Sequence, residues 1–159
     1  MLRPTQLTRR VVVAALLLTA PALRASDSSV TITNPARDGT QAACRVVVGG
    51  SAVIKQGEHV WIFAARKDYA ELGLYWLQGP AVVDPLTHKF SLASTLGVKA
   101  DVGADFTLAV GLFDDGTHTR LKEKFLEVMT TGQQLPITFP PTITDPQYRT
   151  VSKVSHNGC

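Results

Sequence analysis

Apolar and polar residues alternate with a period of two over several short stretches of this chain. Val30 to Thr33 reads apolar, polar, apolar, polar. Between Asp105 and Phe113, Phe106, Leu108, Val110 and Leu112 fall on one side, and Thr107, Ala109 and Gly111 on the other. That period places alternate side chains on opposite faces and predicts strands. Cys44 to Val48 is short and β-branched, with Gly49-Gly50 ending it. His59 to Ala65 carries Val60, Trp61, Ile62 and Phe63 without a polar break, the pattern of a strand buried on both sides. Gly73 to Gln78, stopped by Gly79-Pro80, Lys89 to Ala93, and a final Tyr148 to Val154 complete the set. Asn34-Pro35 and Asp38-Gly39 are turn signals.

The period changes once. From Thr119 to Thr131, Leu121, Phe125, Val128 and Met129 recur at helical spacing and define one helical face. Thr117 or Thr119 is placed to cap the start, and Gly132 to end the helix in the left-handed conformation. The next segment, Gln133 to Pro146, holds Pro136, Pro140, Pro141 and Pro146. Proline fixes φ and removes a donor, so this reads as an unpacked, extended loop. About seven short strands separated by turns predict an all-β, two-sheet sandwich, with the helix between the penultimate and last strands.

The N-terminus follows another grammar. Arg3, Arg9 and Arg10 precede an uncharged apolar run from Val11 to Leu18, and small residues follow at Ala20, Ala22, Ala25 and Ser26. This is the anatomy of a secretory signal peptide, too short to span a bilayer. Residues 1–22 are expected to be the signal, with cleavage after Ala22 or after Ala25. Residues 23–29 form a tether, and 30–159 the sandwich domain. Thr8-Arg9-Arg10 resembles the start of a twin-arginine signal, so both general and twin-arginine export stay open. The mature chain is expected in the periplasm or outside the cell, with no transmembrane segment.

That expectation changes the charge. The whole chain has 16 basic and 13 acidic residues. Cleavage after Ala22 removes three arginines, leaving 13 basic against 13 acidic, a formally neutral domain. Its densest basic cluster, Arg120, Lys122 and Lys124, is interrupted by Glu123 and followed by Glu127. Nucleic-acid binding needs several aligned cations, so it is not expected.

Val30-Thr31-Ile32-Thr33-Asn34-Pro35, Asp38-Gly39 and Val46-Val47-Val48-Gly49-Gly50 together resemble the opening of bacterial exported immunoglobulin-like modules. Gly57-Glu58-His59-Val60-Trp61-Ile62 resembles the strand that carries the core tryptophan in such modules. Tyr75-Trp76-Leu77-Gln78-Gly79-Pro80 and Gly103-Ala104-Asp105-Phe106-Thr107-Leu108 are similar to later strands. The resemblance covers Val30 to Phe113 and implies an immunoglobulin-like sandwich. It implies no activity, because this architecture hosts unrelated ones. The inter-sheet cysteine pair of antibody domains is absent, and the helix and proline-rich segment depart from the simplest pattern.

Candidate chemistry is sparse. Cys44 and Cys159 are the only cysteines. In an oxidising compartment they form a bridge, or else Cys44 is a small core residue and Cys159 is free. His59, His88, His118 and His156 share no spacing that builds a metal site. Asp114-Asp115-Gly116, with Asp101 and Asp105 nearby in sequence, offers half of a calcium site or an ordinary turn. No nucleophile motif and no paired carboxylates for glycoside hydrolysis stand out. No catalytic residue, cofactor or enzymatic activity is expected. Trp61, Tyr69, Tyr75 and Trp76 are the aromatics to weigh, and one of Tyr75 and Trp76 should face outward on a strand with one buried face. The expected function is an exported, non-enzymatic binding or structural module that contacts another protein or an envelope component. The alternatives are a carbohydrate-binding module using Tyr75 or Trp76, and an enzyme with an unrecognised site.

Overall fold

A computed structural model describes residues 27–159. The expected signal peptide and its cleavage sites lie outside the described residues. The strands are β1 (Ser29–Asn34), β2 (Thr40–Ala42), β3 (Arg45–Val53), β4 (Glu58–Arg66), β5 (Leu74–Ala81), β6 (Lys89–Thr95), β7 (Asp105–Asp114), β8 (Ile137–Thr138) and β9 (Gln147–Lys153). One short helix, α1 (Lys67–Ala70), follows β4, and one long helix, α2 (Asp115–Thr131), follows β7.

The strands form two sheets, as the alternation predicts. The small sheet has the order β1-β3-β6, and the large one β2-β9-β7-β4-β5-β8. The chain therefore changes sheet between β1 and β2, where β2 runs parallel to β9. All other pairings are antiparallel.

One core lies between the sheets. Ile32, Val48 and Phe90 from the small sheet meet Val60, Ile62, Leu108, Val110 and Leu112 from the large one. Phe106, Leu108 and Val110 are buried on one face of β7, as their period of two requires. A second core covers the other face of the large sheet. Trp61, Phe63 and Ala65 of β4 pack there with Tyr75, Leu77, Ala109, Phe113 and Leu121. The unbroken apolar run of β4 thus reflects burial on both sides, as expected. Trp61, fully buried, belongs to this second core and not to the one between the sheets.

Four sequence readings need correction. The strand expected at Cys44–Val48 does not end at Gly49-Gly50 but runs from Arg45 to Val53. A Cβ on Gly50 would stand 1.9 Å from the Thr31 carbonyl and 2.9 Å from the Phe90 ring. These glycines let neighbouring strands approach, so they continue the strand where sequence logic ends it. Likewise β5 passes through Gly79-Pro80 to Ala81, by a register shift opposite Ile62 and Phe63 with Gly79 at φ 134°. The long helix starts four residues before Thr119, because Asp114 is the cap: its Oδ1 accepts from the Thr117 amide at 2.7 Å. Leu121 is buried on its inner face and Phe125 half-buried, whereas Met129 is 70% exposed, off the packed stripe. Gly132 ends the helix at φ 70°, as expected.

The fourth correction concerns the proline-rich segment, which is packed. Ile137 and Thr138 add strand β8 beside Leu74 and Tyr75. Phe139 lies 4.8 Å from the Phe63 ring centroid and 5.2 Å from that of Tyr75. Prolines keep the segment extended, and its apolar residues between them cover the outer face of the large sheet.

The chain end returns to the small sheet. Cys44 and Cys159 form a disulfide with Cα atoms 5.1 Å apart, across 115 residues of sequence. Beside it, Lys153 of β9 is fully buried. Its ammonium donates to the carbonyls of Leu96 (2.8 Å) and Val98 and lies 3.3 Å from Cys159 Sγ. A buried charge needs such partners to be tolerated.

Candidate functional site

A cleft of about 360 Å³ opens at one rim of the sandwich. Its walls come from five places in the chain. The last residue of β4 is Arg66, and α1 brings Tyr69. Strand β5 brings Trp76 and Gln78, two residues apart and therefore on one face. Trp76 pairs across from Ala64, which faces the core between the sheets. Thr95, the end of β6, closes the side, with Gly97, Val98 and Asp101 from the following loop. Gln134, just beyond α2, forms the far lip.

Several of its polar groups are held by specific contacts. Trp76 Nε1 donates to the Gln134 carbonyl at 3.2 Å, and Gln134 Nε2 donates to the Leu77 carbonyl at 2.6 Å. Gln78 Oε1 accepts from the Thr95 amide at 2.7 Å, linking the two sheets across the cleft floor. Asp101 Oδ2 accepts from the Val98 amide at 2.7 Å and so shapes the loop. Tyr69 and Trp76 meet edge to face, centroids 5.0 Å apart. Arg66 stands 5.5 Å from the Tyr69 ring centre. It gives Nε to Asp68 Oδ1 at 2.8 Å and its terminal nitrogen to Oδ2 at 2.5 Å, and its other terminal nitrogen is 3.6 Å from Asp101. That fork holds the guanidinium firmly charged and lowers the Asp68 pKa below the usual carboxylate value.

No family model, curated protein or solved structure matches this chain.

Of the aromatics weighed from sequence, Tyr75 and Trp76 divide as a strand with opposed faces requires. Tyr75 is buried in the outer core beside Phe139, and burial pushes its hydroxyl pKa up. Its ring lies away from the cleft, which Trp76 and Tyr69 line. Asp114 and Asp115 have separate tasks. Asp114 caps α2, and the backbone amide of Thr117 lowers its pKa. Asp115 accepts from His59 Nε2 at 2.7 Å. Asp105 accepts from Ser152 Oγ at 2.6 Å, and Asp101 is in the cleft. Among the described residues no group of three or more His, Cys, Asp or Glu side chains is arranged to hold a metal ion.

Spacing gave no sign that His59 and His118 would meet. They stack with ring centroids 3.8 Å apart, 14° from parallel, because the first turn of α2 lies over the start of β4. Trp61 Nε1 donates to His118 Nδ1 at 3.0 Å, so the neutral ring carries its proton on Nε2. Protonation would set two donors against each other and place a cation beside His59, Lys122 and the helix N-terminus. Burial first, then His59 and Lys122, lower the His118 pKa from 6.5, and Asp115 opposes the shift. A lowered folded-state pKa means that the unfolded chain binds the proton more tightly. The stability from neutral His118 is therefore complete above about pH 6.5 and is lost as pH falls through that value toward the folded-state pKa. Urea midpoints should fall between pH 7 and pH 5, and His118→Gln, which keeps an acceptor for Trp61, should remove this component. An unchanged slope in the variant would assign the pH dependence to other groups.

Proposed function

We propose that this chain is an exported, non-enzymatic binding module of immunoglobulin-like type, which holds a protein or envelope partner at the cleft beside Tyr69 and Trp76. The observation that carries the reading is the cleft itself. It is of small-ligand size, its aromatic edge is accessible, and its polar groups are fixed by both sheets. A rigid rim of this kind needs no rearrangement to bind, which limits the entropy lost on association.

The immunoglobulin-like assignment draws support from strand order. The first strand is split between the sheets, β1 beside β3 and β2 beside β9. The pairs β3–β6, β9–β7 and β7–β4 follow the order of that sandwich class. Export draws support from the leader pattern and from the disulfide, which suits an oxidising compartment. Among the described residues no helix is long and apolar enough to cross a membrane.

The test is capture from envelope extracts on immobilised exported chain. Wild type should retain a reproducible component, and Tyr69→Ala should lose most of it. Leu86→Ser, on an exposed loop away from the cleft, should retain it. Capture that is the same for all three chains would remove the cleft from the function.

A further inference from the structure

We infer that the cleft accepts a neutral saccharide, with a sugar ring seated against Trp76 and its hydroxyls bonded by the side-chain amides of Gln78 and Gln134. This rests on the reading of the cleft as a binding site and names its ligand class.

Charge decides against an ionic ligand. Arg66 is the cleft's one cation among the described lining residues, and its fork is already filled by Asp68, with Asp101 on its other side. An anion would have to displace a bidentate carboxylate. A cation would approach the positive guanidinium of Arg66, which already stands over the Tyr69 ring. A neutral ligand meets neither obstacle.

The remaining groups suit a polyol. Gln78 uses its oxygen on Thr95, which leaves its two N–H donors for a ligand. Gln134 uses a nitrogen on Leu77, which leaves its side-chain oxygen as an acceptor. The two amides, both lining the cleft, thus present a donor and an acceptor. A hydroxyl both donates and accepts, so adjacent sugar hydroxyls answer both. The Tyr69–Trp76 pair supplies the apolar wall against which the C–H face of a pyranose packs. Trp76 is half-buried with its indole nitrogen tied to Gln134, so its ring is held in place before a ligand arrives. An extended peptide is served less well, since the Thr95 amide at the rim is already capped by Gln78.

The experiment is an array of neutral and acidic glycans and of synthetic peptides probed with the full exported chain. Titration calorimetry then follows with the best neutral oligosaccharide. The expected result is selective retention of neutral glycans, together with a change in tryptophan fluorescence from Trp76, since Trp61 is buried elsewhere. Tyr69→Ala and Gln78→Glu should each weaken binding at least about tenfold. Gln78→Glu keeps the acceptor for the Thr95 amide and replaces the donors by a charge, so near-UV circular dichroism should stay as in wild type. Retention of no neutral glycan, or retention that both folded variants preserve, overturns the saccharide assignment. If peptides or acidic glycans are held instead and lost in the same variants, the cleft remains a binding site and only the ligand class falls.

Discussion

Phe63→Ala should lower the free energy of unfolding by about 3–5 kcal/mol, at least as much as Leu108→Ala at about 2–5 kcal/mol. The two side chains lie on opposite faces of the same sheet. Leu108 is fully buried between the sheets, and Phe63 is fully buried under α2 and the proline-rich segment. Around Phe63, the Phe113 and Phe139 rings stand at 5.7 and 4.8 Å, so truncation leaves a cavity that rigid neighbours cannot fill. In a two-layer sandwich that face of β4 would meet water, and losing Phe63 would change stability by less than about 0.5 kcal/mol. Urea unfolding at constant m-value separates the two cases. A small loss at Phe63 with a large one at Leu108 would mean that the outer layer is not part of the cooperative fold.

Breaking the Cys44–Cys159 bridge should be comparably damaging, at about 2–5 kcal/mol. The bridge closes 115 residues of sequence, and chain entropy alone assigns about 5 kcal/mol to a loop of that size. There is also a local consequence. The bridge fixes the end of the chain, which follows β9, to the residue that precedes β3, and so ties the large sheet to the small one. Lys153 holds the Leu96 and Val98 carbonyls next to the same sulfurs. Freed, the last residues should fray, and hydrogen exchange should rise first at Val151 to Lys153 and at Leu96. Unfolding curves of wild type with and without reductant, beside Cys159→Ser, measure the effect. Equal stability in all three would show that the bridge contributes nothing to the fold.

Much of this architecture is legible in single residues, and the exceptions have physical causes. The period of two in β7 and the uniform apolar run of β4 reveal strands and their burial, because side-chain direction along a strand is a local property. The helix stripe at Leu121 and Phe125 and its stop at Gly132 are local in the same sense. Gly49-Gly50 and Gly79-Pro80 misled because their meaning lies in a neighbouring strand. At Gly50 the deciding atom is the Thr31 carbonyl, and no spacing in sequence encodes that approach.

The site divides along the same line. Sequence alone determined that one of Tyr75 and Trp76 faces away from the other and that two cysteines were available to bridge. The tertiary structure decided which aromatic lines the cleft, since Tyr75 is buried in the outer core, where Phe139 docks on it. It alone brought Arg66, Tyr69 and Gln134 to Trp76, stacked His59 on His118, and buried Lys153 beside the disulfide. Each of those contacts joins residues from separate elements, and their distances depend on how strands and helices pack. Period and turn chemistry act over a few residues; a cleft built from five segments exists only once the sheets have closed.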